Sequence, residues 1–261
     1  MIGFIGGGNM AEALIKGIGR AGDIMISEPS EQRRLHIEKT YAVNTTNDNK
    51  ALAAAADIII IAVKPQIIST IAEELSGMDL SKKTLVSIAA GVSISYLKHA
   101  FRTDNVVRVM PNTPALVLKG MSVISAADGI SPEQMDKIAG IFASIGKIHF
   151  LPERHMDAVT AVSGSGPAFI SFFAEAMIKG GMALGLDEET VTLLTIQTLN
   201  GTSELLASRS PAALIKMVSS PGGTTVAGLQ VMQERDAAGL VADVLRAAAS
   251  RSAELNIKIS E

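Results

Sequence analysis

The sequence predicts an α/β half followed by an all-α half, and three observations carry that prediction. Over residues 1–150, short β-branched runs alternate with helical periods, and the runs at 2–5 and 58–63 are largely unbroken apolar stretches. Continuous apolar strands belong to parallel sheets covered by helices on both faces. A glycine cluster, Gly6-Gly7-Gly8, follows the first run at once and opens a helical stretch. From Glu153 onward no strand pattern recurs. Alanine-rich helical runs there are punctuated by GSGP (164–167), GLD (185–187), Pro211 and PGG (221–223). The expected architecture is a Rossmann-type doubly wound sheet over 1–151, followed by a helical domain over 152–261.

The elements follow in order from their residues. A buried strand is expected over 2–5 (IGFI), then a helix over 10–20 that begins at the glycines. A strand over 23–27 (DIMIS), a helix over 30–40 and a short strand over 42–44 come next. The alanines of 52–55 read as helix, and 58–63 (IIIIAV) as the most apolar strand, with Asp57 before it. A helix over 67–75 leads to strands over 84–88, 106–110 and 121–125, and a helix over 132–145 closes the half. No repeat with a period of 20–50 residues is visible.

Composition narrows the function classes. Hydrophobic residues make up 48% of the 261 and charged residues 19%, enough for a sizeable core. Aromatics are only 3%, so aliphatic residues and Met must build that core. A net charge of −3 without a basic cluster argues against nucleic acid as a partner. The absence of cysteine excludes disulfides, thiol nucleophiles and Cys-ligated metals. His149 and His155 lack a third ligand, so no metal site is expected. The longest apolar tract, 51–63, is interrupted by Asp57 and is short for a bilayer, so no membrane association is expected and the location is cytoplasmic. Residues 165–183 are apolar on most sides of a helical wheel, which requires burial all round and predicts a large subunit interface.

Gly6-Gly7-Gly8-Asn9-Met10-Ala11 fits G-x-G-x-x-G/A between a strand and a helix, the fingerprint of a dinucleotide pyrophosphate site. Gly6 permits the tight turn, Gly8 the backbone approach, and Ala11 the helix–strand packing. Glu28 lies twenty residues past Gly8, at the end of the second strand. A carboxylate there accepts from a ribose 2′-OH and repels a 2′-phosphate, which leans towards NAD(H). Arg33 and Arg34 either reach a 2′-phosphate or stand as solvated surface charges, so NADH against NADPH stays open. Small or proline-bracketed segments end three further strands: Ala62-Val63-Lys64-Pro65, Ala89-Ala90-Gly91 and Pro111-Asn112-Thr113-Pro114. Open parallel sheets bind ligands at such strand ends.

Later in the chain, SSPGGTT (219–225) holds two serines, two glycines and two threonines but no ionisable side chain. The helical run 224–234 begins there, so its free N–H groups and positive dipole end face the loop, a natural anchor for a carboxylate. Helix capping by a hydroxyl is the plainer alternative, though one residue would suffice for that. Ser163-Gly164-Ser165-Gly166-Pro167 either lines a pocket or lets helices pack closely.

The segments FIGGGNMAEAL, DIIIIAVKPQ, SIAAGVS, VRVMPNTPALV, DAVTAVSGSGPAF and VSSPGGTT run in order from residue 4 to 225. Together they resemble the pyrroline-5-carboxylate reductase family. That resemblance implies NAD(P)H-dependent reduction of the C=N bond of Δ1-pyrroline-5-carboxylate to L-proline, the last biosynthetic step. It implies cofactor contacts at Ile5, Gly6, Gly7, Gly8, Asn9 and Met10, with Asn49 at the adenosine end. It adds Ala62, Val63, Lys64 and Pro65, then Ala89, Ala90 and Gly91, with Asn112 near the nicotinamide. Glu28 falls where the family often carries a neutral residue beside the ribose. Substrate contacts are implied for Glu153, Ser220, Gly223, Thr224 and Thr225, and Thr225 is the hydroxyl expected beside the reacting imine nitrogen or the nicotinamide amide. Family members are dimers interlocked through the helical domain and often assemble into decamers. Two alternatives stand beside this reading. A β-hydroxyacid dehydrogenase wants a lysine early in the first long helix of the second half, where Lys179 comes about three turns late. A regulatory paralogue would bind a dinucleotide without turnover.

Overall fold

A computed structural model of the chain describes residues 1–19 and 21–255 in full and 256–260 as helical backbone. Six strands run parallel: β1 (Ile2–Ile5), β2 (Ile24–Ser27), β3 (Asn44–Thr46), β4 (Ile58–Ile61), β5 (Thr84–Ser87) and β6 (Val106–Met110). β7 (Gly120–Ala126) lies antiparallel to β6, and β8 (Gly146–Phe150) parallel to β7. The order β3-β2-β1-β4-β5-β6-β7-β8 makes one sheet whose first six strands are wound in the dinucleotide-binding order. The order reverses between β1 and β4, which opens a crevice at the carboxyl ends of those strands.

Alternate side chains of the strands feed two separate cores. Phe4, Ile26, Ile60, Val86 and Val107 face α1 (Asn9–Ile18), α2 (Glu31–Tyr41) and α6 (Pro132–Ala143). Ile5, Ile59, Ile61, Leu85 and Val106 face α3 (Asn49–Ala55), α4 (Ile68–Glu74) and α5 (Ile94–Phe101). β4 is buried on both faces, which is why IIII shows no alternation. Each such isoleucine withdrawn from water stabilises the fold by roughly 1.5–3 kcal/mol.

Several elements depart from the sequence expectation. The third strand sits two residues later than 42–44, because Ala42 ends α2 in the left-handed region at φ 54. The first helix ends at Ile18 with Gly19 as its cap; its expected last residue, Arg20, lies outside the described residues, as does Glu261. α5 and β8 were not expected at all. β7 and β8 also break the all-parallel pattern.

The chain divides into two compact units, Met1–Ser165 with the chain from Arg246 onward, and Gly166–Leu245. In the first, α7 (Met156–Val159) packs Met156 and Val159 on Val123 of β7, and a π-helical turn follows over Thr160–Gly164. The last helix, α12 (Ala237–Ser260), bonds back to α7 from Ser252 Oγ to Asp157 Oδ1 at 2.7 Å. The second unit holds α8 (Gly166–Ala183), α9 (Glu188–Leu206), α10 (Pro211–Val218) and α11 (Thr224–Glu234). Ala174 is the one buried residue of α8. Among the described residues, one helical run, Glu153–Ala183, is long and apolar enough to cross a membrane by length and composition. It exceeds the 51–63 tract that the sequence singled out, because its apolar character is spread among Ala, Gly, Phe and Met rather than concentrated.

Candidate functional site

The carboxyl ends of β1, β2 and β4 form a cleft of about 660 Å³. Eight of the expected cofactor residues line it: Ile5, Gly6, Gly8, Glu28, Asn49, Ala62, Val63 and Lys64. Gly6 takes φ +100, and an added Cβ there would sit 2.7 Å from the Ala62 carbonyl oxygen, so the turn between β1 and α1 admits only glycine. Gly8 is the N-cap of α1 and has no side-chain cap. A Cβ added at Gly8 would meet nothing within 4 Å. An uncapped ten-residue helix whose N-terminus faces open space fits a pyrophosphate, held by the first N–H groups and the positive end of the dipole. Asn9 and Met10 form the first turn of that helix.

Glu28 is fixed at the rim of this cleft. Its Oε2 accepts from the Gly7 N–H at 2.9 Å and its Oε1 from the Ser30 N–H at 3.0 Å. Arg33 and Arg34 are half-buried and held by groups of the protein. Arg33 Nε donates to the Gly7 carbonyl at 2.6 Å and pairs through Nη2 with Glu12, and Arg34 Nη1 donates to the Glu28 carbonyl at 2.7 Å. His36 lies 2.9 Å from the other Glu12 oxygen. Burial pushes the Glu12 carboxyl up, but hydrogen bonds from His36 and Arg33 outweigh it and hold the group below its ordinary range. Asp48, which caps α3 through the Lys50 and Ala51 N–H groups, and Glu74, which accepts from Asn49 Nδ2 at 2.5 Å, also line the cleft. Asp48 before a run of alanines carried a cap signal in the sequence; Glu74 carried none.

The other expected residues stand elsewhere in this unit. Pro65 opens a 3-10 turn after Lys64. Ala89, Ala90 and Gly91 follow β5, the neighbour of β4, and the Ala89 N–H donates to Ser87 Oγ at 3.3 Å. They do not line the cleft, and neither does Asn112 after β6. The Asn112 amide is engaged at both ends, accepting from the Met121 N–H at 2.8 Å and donating to Ser163 Oγ at 3.2 Å. Gly164 allows close packing: a Cβ there would strike Met110 Cε at 2.4 Å.

Glu153 is half-buried and engaged by groups of the protein. Its Oε1 accepts from Arg108 Nη1 at 3.0 Å and from the Ile94 N–H at 2.7 Å, at the start of α5. Arg108 on β6 is buried, and sequence reasoning missed it because its partner lies 45 residues away. Taking Glu153 away would strand a buried guanidinium, a change that typically costs ~3–5 kcal/mol.

In the second unit, SSPGGTT forms a turn that ends at α11. Gly222 takes φ 70, the Gly223 N–H donates to the Ser220 carbonyl at 3.0 Å, and Gly223 is the N-cap. No side chain caps α11. Ser219 Oγ instead turns back to the Ile215 carbonyl at 2.7 Å. The hydroxyls of Ser220, Thr224 and Thr225 therefore do not cap this helix, and its first N–H groups keep the donor capacity that an anion would use. Lys179, too far along α8 for the lysine a hydroxyacid dehydrogenase would need, is exposed and pairs with Glu175 at 2.6 Å. Among the described residues, no three His, Cys, Asp or Glu side chains group to hold a metal.

Comparison with known proteins agrees with both halves. Residues 153–255 match the family model "Pyrroline-5-carboxylate reductase dimerisation", and residues 1–91 match "NADP oxidoreductase coenzyme F420-dependent". The pyrroline-5-carboxylate reductase of Synechocystis sp. is 38% identical over 98% of this chain and 98% of its own length. That of Pseudomonas aeruginosa is 38% identical over 97% and 96%. Among solved structures, a pyrroline-5-carboxylate reductase from Coxiella burnetii superposes with a TM-score of 0.90 at 33% identity, covering 97% of each chain. The Plasmodium falciparum enzyme, solved with NADP bound, gives 0.86 at 33% identity over 98% of this chain and 97% of its own.

Proposed function

Because the chain belongs to the pyrroline-5-carboxylate reductase family, we propose that it reduces Δ1-pyrroline-5-carboxylate to L-proline in the last step of proline biosynthesis. NAD(P)H, when bound, supplies the hydride that adds to the imine carbon. The chain's own residues supply binding and orientation. The cleft at β1, β2 and β4 takes the adenosine and pyrophosphate of the cofactor, through Gly6, Gly7, Gly8, Asn9, Met10, Asn49 and Ala62 to Pro65. Ala89, Ala90, Gly91 and Asn112 are assigned to the nicotinamide side, at the ends of β5 and β6.

The observation that carries the substrate assignment is the uncapped N-terminus of α11 behind a glycine-rich turn. Its N–H groups, with Ser220, Gly223 and Thr224, hold the substrate carboxylate. Thr225 sets its hydroxyl beside the imine nitrogen or the nicotinamide amide. Glu153, whose two protein contacts both fall on Oε1, offers Oε2 to the ring nitrogen. A protonated imine is already electrophilic, so a site without a catalytic His or Cys suffices. A functional division at 151/152, with 152–261 serving substrate and dimer contacts, follows from the same reading. So do a homodimer through the helical half, its further assembly into decamers, and a cytoplasmic location.

The test is oxidation of NADH and NADPH on addition of pyrroline-5-carboxylate, set against 2-hydroxy- and 3-oxo-acids. Turnover confined to the cyclic imine is the expected outcome. Cofactor binding without turnover would replace the enzyme by a regulatory paralogue.

A further inference from the structure

The geometry points to Glu28 as the residue that sets cofactor choice, and to NADH rather than NADPH as the cofactor this chain prefers. The inference rests on the dinucleotide site of the proposed reductase but not on its substrate. In a doubly wound fold, the end of the second strand stands beside the adenosine ribose, where a carboxylate bonds the 2′-OH and a nearby arginine accommodates a 2′-phosphate. Here the carboxylate is present and both arginines are withdrawn.

Glu28 cannot swing away easily, because each of its oxygens is held by a main-chain N–H, those of Gly7 and Ser30. The Glu28 Cβ and Cγ would also lie 3.3 Å from any Cβ at Gly7, so the side chain is packed against the glycine loop itself. A 2′-phosphate would approach a fixed negative charge, whereas a 2′-OH would find an acceptor. Arg33 is engaged by the Gly7 carbonyl and by Glu12, and Arg34 by the Glu28 and Pro29 carbonyls. Turning either towards a phosphate would break bonds that hold the loop and the start of α2. The remaining charges of the cleft add to the bias: Glu28, Asp48 and Glu74 are opposed only by Lys50 and Lys64. The Plasmodium relative is described with NADP bound, so the preference inferred here belongs to this chain's own residues.

Calorimetric titration of the full-length protein with NADH and with NADPH tests this directly, in the wild type and in Glu28→Gln and Glu28→Ser. A like charge at contact range predicts NADH binding tighter by ~10-fold or more. Both substitutions should narrow that gap mainly by strengthening NADPH. Glu28→Gln keeps an acceptor for one N–H of the loop and guards against misfolding of Glu28→Ser, with thermal melts as the check. NADPH binding as tightly as NADH in the wild type overturns the inference, as does a gap that survives both substitutions. Tight, NADH-selective binding that Glu28→Gln abolishes, without oxidation when pyrroline-5-carboxylate is added, supports the role of Glu28 while removing the reductase reading.

Discussion

Thr225 follows two glycines and a threonine at the start of α11, half-buried and with no capping role. Replacing it with valine keeps the shape and removes one donor. We expect Thr225→Val to lower kcat/KM for pyrroline-5-carboxylate by ~10²-fold, with cofactor affinity by calorimetry nearly intact; unaltered catalysis would remove Thr225 from the mechanism. Glu12 makes a different prediction. Its carboxyl is held below the ordinary 4.5 by His36 and Arg33 despite burial that opposes this. A depressed folded value means stabilisation that is complete above about 4.5 and lost as pH falls through the lower folded value. Glu12→Gln should therefore be less stable than wild type near neutrality, with the deficit shrinking on acidification. Urea unfolding at a series of pH values reads this, and a deficit independent of pH would contradict it. The residues of the site were unequally legible. Glu28 could be placed from its spacing to Gly8, because strand and helix lengths fix that distance in this fold. The bond from Arg108 to Glu153 joins segments 45 residues apart, and no local pattern announces it.

At the scale of the element, the turn from β1 into α1 separates two demands on glycine that the sequence merges into one motif. Gly6 is required by the fold, since its φ of +100 and the Ala62 carbonyl at 2.7 Å exclude a Cβ. Gly8 has extended backbone at φ −73 and open space around it, so the protein itself does not need a glycine there. Gly8→Ala should leave the melting temperature within a few degrees of wild type, in line with a cap change of about 1 kcal/mol or less. It should still weaken NADH binding, because the methyl enters the space left for the pyrophosphate. Gly6→Ala should lower stability and binding together. Equal binding by Gly8→Ala and wild type would move the pyrophosphate elsewhere. Strand–helix alternation was readable because β1 and β4 are buried on both faces and so carry continuous apolar runs. β8 escaped notice for the opposite reason. It is an edge strand with no fully buried residue, and the alternation of Lys147, Ile148, His149 and Phe150 is too short to stand out. α5 was missed although Ile94, Leu97 and Phe101 mark its buried face and Ser93 caps it. Eight residues give too few turns for a period to stand out.

The whole molecule is shaped by what its second compact unit leaves uncovered. Phe172 is 72% exposed, Leu193 70% and Leu184 87%, on α8, on α9 and in the link between them. Side chains of this kind gain roughly 1.5–3 kcal/mol each when removed from water. Large apolar side chains exposed to this degree mark an interaction face rather than ordinary surface. The Glu175–Lys179 pair in the middle of α8 argues against lipid as the cover, since charged side chains inside a bilayer are costly. A second copy of the helical half is the cover that the matched dimerisation model supplies. A monomer would carry this surface bare, so association and stability should be linked. Light scattering after size exclusion should give a dimer or a multiple of it, and the melting temperature should fall on dilution. Phe172→Glu combined with Leu193→Glu places two charges on the face and should shift the population to monomer with a lower melting temperature. Far-UV circular dichroism would confirm that the helices survive. A wild type that runs as a stable monomer, with a melting temperature independent of concentration, would mean that this surface serves another purpose.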